Sequence, residues 1–241
     1  MSKDDDGKKE LPKRLEGMVP TAEQIFRALG QQRYSYELDS EFVRAVDNEK
    51  YVATASPFKA HRFGPPLEFV KADGSLAFTW VYLARDSLVA SWESQVILNN
   101  RGAGNGFHIT RKATERGVLA RIRFKRELVL WNLGEDHSSR LGIQDIVSSS
   151  DHEACQWLGL RLREAMLRLP PEARPDGFAY PSRRVRGAPA LALGDWATTD
   201  LFEQADVTTE AFVGSDIHAY FMGDPMRTEP PDLDAPPAVA G

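Results

Sequence analysis

Segments with the period of a strand and segments with the period of a helix follow one another in this chain without regular alternation. Residues 78–84 are rich in aromatic and β-branched side chains and read as a strand. Asp86 then caps a helix predicted to run to about Leu98, with Leu88, Val89, Trp92, Val96 and Ile97 at helical spacing. Residues 118–124 and 127–133 read as two neighbouring strands. Asp151 opens the clearest helix, to about Leu169, with Ala154, Trp157, Leu158, Leu162, Ala165 and Leu169 as its apolar stripe. Pro170 and Pro171 stop it. A short strand follows at 178–180. Near the start, Thr21 caps a helix and Gln24 closes a capping box. A parallel sheet with covering helices would need a steady strand–helix alternation, so this order predicts an α+β fold.

The two ends read differently. Residues 1–19 are polar and charged and read as a disordered tail. Residues 223–241 carry Pro225, Pro230, Pro231, Pro236 and Pro237 among acidic residues and read as a second one. That leaves 20–222 as a single domain. The net charge of −5 argues against a general nucleic-acid binder. Basic residues cluster at 111–126 and at Arg183, Arg184 and Arg186, which suits a small anionic ligand. Cys155 has no partner for an intrachain disulfide and fits a reducing compartment. No apolar run is long enough to span a membrane and the N-terminus lacks a secretory core, so the expected location is the cytoplasm. An oligomer is compatible with all of this.

Several chemistries find no support. His61, His108, His137, His152 and His218 show no paired spacing, so no metal site is expected. Gly102, Gly104 and Gly106 follow a predicted helix, whereas a dinucleotide loop follows a strand. A Gly-x-Ser-x-Gly elbow is absent.

What remains is Ser182, at the end of Asp176-Gly177-Phe178-Ala179-Tyr180-Pro181-Ser182-Arg183-Arg184, with Arg62 in His-Arg-Phe-Gly-Pro-Pro and Glu93 in Trp-Glu-Ser. Taken singly, Glu93 reads as an exposed helix residue and Arg62 as a surface loop arginine. Taken in order, they resemble the RES domain family, named for Arg, Glu and Ser. Arg44 in Phe-Val-Arg-Ala-Val is similar to the family's early Arg. His61–Pro65 is similar to its second Arg segment, and Val81-Tyr82-Leu83-Ala84 with Glu93 to its Tyr-Leu-Ala…Glu signature. The likeness covers about 40–204 and departs at insertions around 99–117 and 187–200.

That resemblance implies a fold like the ADP-ribosyltransferases. It implies NAD as substrate, cleaved at the nicotinamide–ribose bond with water or phosphate as acceptor, and an Xre-type antitoxin as partner of a bacterial toxin. Arg62 and Arg44 would grip the pyrophosphate with charge-assisted hydrogen bonds. Glu93 would stabilise the cationic ribose. Tyr82 would stack on a ring or bond the ribose, and Ser182 would orient nicotinamide or ribose. The same site would serve transfer of ADP-ribose to a macromolecule. A non-catalytic interaction protein on this fold is the reading from another class.

Overall fold

The computed structural model describes residues 10–100, 105–134 and 136–231. Its strands are β1 (Tyr34–Tyr36), β2 (Glu41–Val46), β3 (Trp80–Ala84), β4 (Ile97–Asn99), β5 (Phe107–Ile109), β6 (Val118–Arg123), β7 (Leu128–Asn132), β8 (Gly177–Pro181), β9 (Pro189–Gly194) and β10 (Asp206–Ala211). Its helices are α1 (Ala22–Leu29), α2 (Ser87–Glu93), α3 (Arg111–Arg116), α4 (His137–Arg140), α5 (Gln144–Ser148), α6 (His152–Met166), α7 (Asp195–Glu203) and α8 (Asp216–Met222). Eight strands form one sheet in the order β1-β7-β8-β9-β3-β2-β6-β10, and β4–β5 form a separate hairpin. Within the large sheet only β7 and β8 are parallel. The architecture is α+β, as the element pattern predicts.

The segments 118–124 and 127–133 are strands, but they do not pair. β6 and β7 lie five strand spacings apart in the sheet order. In a flat sheet that is about 24 Å. The five peptide units from Arg123 to Leu128 reach at most about 18 Å. The sheet therefore curls, bringing its two ends together, and Phe124, Leu128 and Leu130 share one core with Phe42, Ile122 and Leu201. The other face carries the larger core, where α1, α2 and α6 pack through Ile25, Val89, Trp157, Leu158 and Leu162.

The caps read from sequence are present. Thr21 and Gln24 form the reciprocal box, Asp86 accepts from Val89 N at 2.8 Å, and Asp151 accepts from Ala154 N at 3.1 Å. One helix boundary is corrected. The helix after Asp86 ends at Glu93, not near Leu98, because Gln95 turns left-handed (φ 64°) and Ile97 begins β4. The apolar residues at 96 and 97 fit either period, so spacing alone did not separate helix from strand.

The tails are corrected in part. Leu15 and Val19 are buried in the larger core, and Arg14 pairs with Asp151 and Glu153. At the other end, Phe107 N donates to Met226 O (3.2 Å) and Thr228 N to Phe107 O (2.8 Å), so residues 226–228 dock on β5. A few apolar side chains suffice to anchor a mostly polar segment, which composition averages away. The remaining tail residues, 1–9 and 232–241, lie outside the described residues, as does 101–104 of the glycine loop. The segment 187–200, read as an insertion, supplies β9, in the middle of the sheet, and the start of α7.

One irregularity shapes the molecule's cleft. β3 pairs with β9 over five positions and β2 with β6 over six, yet β2 and β3 pair only at Val43↔Ala84. Beyond that point the two strands splay.

Candidate functional site

A cavity of about 450 Å³ occupies the splay, between Arg44 and Ala45 of β2 and Tyr82 and Leu83 of β3, with Glu93 at the end of α2 on its wall. That is within the usual range for small-molecule sites. A pocket of about 30 Å³ adjoins it, and His61, Tyr82, Glu93 and Gln95 line both. The smaller pocket also touches Arg62, Trp92, Tyr180 and Arg183.

Glu93 and Ser182 meet although they are far apart in sequence. Ser182 Oγ donates to Glu93 Oε1 at 2.7 Å, and Tyr180 Oη donates to Oε2 at 3.0 Å. Tyr180 and Ser182 are two residues apart at the end of β8, so both face the same side of the sheet. Burial pushes the Tyr180 phenol well above its ordinary pKa, and the neighbouring Glu93 charge adds to this. The phenol therefore stays protonated and remains a donor. Ser182 Oγ also accepts from the backbone N of Arg184 (3.1 Å) and Val185 (3.0 Å). With its lone pairs held by the turn, the hydroxyl's own hydrogen points at Glu93. This geometry makes Ser182 an orienting group, since both its lone pairs are taken by backbone N–H donors.

Arg62 is buried, and one Nη2 bond to the Val147 carbonyl holds it. Its Nε and Nη1 have no hydrogen-bond partner. The guanidinium lies over the rings of Phe63 (5.0 Å) and Tyr180 (5.7 Å). Unpaired donors on a buried cation are costly, which makes an incoming acceptor favourable here. Glycine explains how this segment reaches so deep: a Cβ on Gly159 of α6 would stand 2.0 Å from Phe63 O. The helix thus touches the backbone beside Arg62.

Arg44 has a different task. Its guanidinium donates to three carbonyls, Tyr51 (2.9 Å), Tyr82 (2.6 Å) and Thr54 (2.9 Å). The Tyr82 carbonyl is one that the splay denies a ladder partner, so Arg44 replaces a lost β-sheet bond. Burial lowers its pKa to about 10, still charged at neutral pH. Tyr82 points its hydroxyl inward to accept from Phe63 N at 3.0 Å, tying β3 to the Arg62 segment. His61 packs on the Tyr82 ring at 5.7 Å. Burial, reinforced by Lys59 and Arg44, pushes the imidazole pKa down to about 4, so it is neutral.

Asp176 of the Ser182 stretch turns out to be an anchor. Its carboxylate takes two bonds from Arg126 and one from Val129 N, fixing β8 beside β7. Among the described residues no group of three or more His, Cys, Asp or Glu is placed to hold a metal. Likewise, no described helix is long and apolar enough to cross a membrane.

No protein-family model and no curated protein matches this chain. One solved structure is similar: a chain of the M. tuberculosis MbcT–MbcA toxin–antitoxin complex, at 15% identity and a TM-score of 0.48, over 79% of this chain and 93% of that one. At that distance the chemistry of the cleft rests on its own residues.

Three cleft residues had no role in the sequence reading. Tyr180 was legible in the two-residue spacing from Ser182, and His61 in its adjacency to Arg62. Gln95 left no signal, because a left-handed backbone at a non-glycine residue is decided by the surrounding chain.

Proposed function

We propose that the chain cleaves the nicotinamide–ribose bond of NAD. The observation that carries this is the Glu93 carboxylate, held by the Ser182 and Tyr180 hydroxyls where the two cavities meet. As the C1′–N bond breaks, its electron pair leaves with nicotinamide and positive charge develops on the ribose. A carboxylate fixed by two donors is already oriented for that charge and need not reorganise as it appears. Arg62 offers its unpaired Nε and Nη1 donors to a ribose or carboxamide oxygen. Tyr82 contributes a wall. The acceptor, water or phosphate, then bonds C1′ through oxygen and loses a proton.

The resemblance to the RES domain family supports the same reading. It adds the proposals of a fold like the ADP-ribosyltransferases, a toxin role and an Xre-type antitoxin as partner. The test is incubation of the purified full chain with NAD, with and without phosphate, following nicotinamide release. Release without phosphate gives ADP-ribose, and release with phosphate gives its phosphate if phosphate is the acceptor. Label passing from NAD into macromolecules would instead identify a transferase. No nicotinamide release from folded protein under any condition refutes the proposal.

A further inference from the structure

We infer that Lys59, Lys112 and Arg116 form a phosphate grip at the larger cavity, and that Arg44 and Arg62 do not grip phosphate. The inference rests on the NAD reading for the identity of the ligand, but its evidence is separate. Lys50, Lys59, Lys112 and Arg116 all line that cavity, with Asp47 and Glu93 as the acidic groups on its wall. None of the four cations has a carboxylate partner among the described residues. Other cations are neutralised in the fold: Arg121 and Arg123 share Glu41, Lys125 pairs with Asp206, and Arg168 with Glu23. In a chain of net charge −5, four unneutralised cations around one cavity call for an anionic ligand.

The spacing strengthens the point. Lys112 and Arg116 stand four apart on α3, so they share a face, and that face borders the cavity. Like charges at this spacing repel and weaken a short helix. A ligand anion between them removes the repulsion. Lys50, stacked on the Tyr51 ring at 4.9 Å, and Lys59 approach from a separate loop, so cations from two distant segments converge. The two arginines expected to hold pyrophosphate are placed for other tasks. Arg44 spends its fork on three backbone carbonyls, and Arg62 turns its two unpaired donors towards the smaller pocket beside Glu93 and does not line the larger cavity. A dinucleotide therefore lies with its reacting ribose at Glu93 and its phosphates towards Lys59 and α3.

The experiment is calorimetric titration of the full chain with ADP, inorganic pyrophosphate and adenosine. ADP and pyrophosphate bind the wild type, and raising the salt weakens both. Lys112→Ala with Arg116→Ala weakens ADP at least tenfold, as does Lys59→Gln, which lies in another segment and guards against a local folding defect in α3. Lys71→Ala, a cation away from the cavity, leaves binding unchanged. Adenosine affinity does not respond to the rim variants. Unaltered ADP binding in both rim variants, or no binding of ADP and pyrophosphate by the wild type, overturns the grip. Failure of the cleavage reading is distinguishable. ADP binding that depends on the rim, without nicotinamide release, retains the grip and rejects the chemistry. Nicotinamide release with KM unchanged in the rim variants does the reverse.

Discussion

Replacing Glu93 with Gln separates the chemistry from the fold. The amide keeps the size and both polar positions of the carboxylate. In the native site each carboxylate oxygen takes one hydroxyl hydrogen, from Ser182 at 2.7 Å and from Tyr180 at 3.0 Å. In the variant the amide oxygen keeps one of these, and the other hydroxyl rotates to accept from the new NH₂. Two charge-assisted bonds become neutral ones, a loss of about 1 kcal/mol each. The relieved desolvation of a partly buried carboxylate offsets about half of that. The net change in stability is about 1 kcal/mol, a shift of roughly 2–4 °C in Tm for a domain of this size. Catalysis loses far more. A unit charge about 4 Å from a developing cation, at an effective dielectric near 20, contributes about 4 kcal/mol. Its removal lowers kcat by about a thousandfold. Nicotinamide release measured by chromatography, beside a thermal melt, reads both numbers. A fall of less than tenfold in kcat with Tm intact would refute the electrostatic role of Glu93.

Other consequences concern the scaffold. Gly159→Ala places a methyl 2.0 Å from Phe63 O, so the usual helix gain of about 1 kcal/mol is overridden by overpacking of about 1–3 kcal/mol or more; Tm falls, and an unchanged Tm would contradict the close packing. Gln95→Gly releases a left-handed side-chain clash of about 1–2 kcal/mol, partly cancelled by glycine's greater freedom when unfolded, and raises Tm by a few degrees; a lower Tm argues that the Gln95 side chain itself holds the turn. His61 binds a proton near pH 4 in the fold and near its ordinary 6.5 when unfolded. Its contribution is therefore fully present above pH 6.5 and is lost as pH falls towards 4, by at most about 3 kcal/mol. His61→Gln flattens that part of the stability–pH curve; chemical denaturation from pH 7 to 4 measures it, and an unaltered slope excludes His61 as the source.

Local signals in the sequence were strong enough to place α1 and α6 and to start α2, because a cap and a periodic apolar face are contained within a few turns. The same holds for the cationic character of 111–126. Arg62, Glu93 and Ser182 stand out only as an ordered set, through the family resemblance. Other features depend on partners far along the chain. Whether 118–124 and 127–133 form a hairpin depends on four intervening strands and on the curl they impose. Whether a polar terminal segment docks depends on a few residues such as Leu15 finding a core to enter.

The division is clearest at the two arginines. From sequence, Arg44 and Arg62 are equivalent: each is a guanidinium near an apolar segment, suited to a phosphate. Only the tertiary structure tells them apart. The splay of β2 from β3 leaves the Tyr82 carbonyl without a strand partner, and Arg44 supplies one. Arg62, pressed inward where α6 has no side chain at Gly159, keeps two donors unsatisfied beside Glu93's pocket. Residue type set what each could donate. Which acceptors lay within reach was decided by the path of the whole chain, since a hydrogen bond depends on positions that only the assembled sheet and helices define.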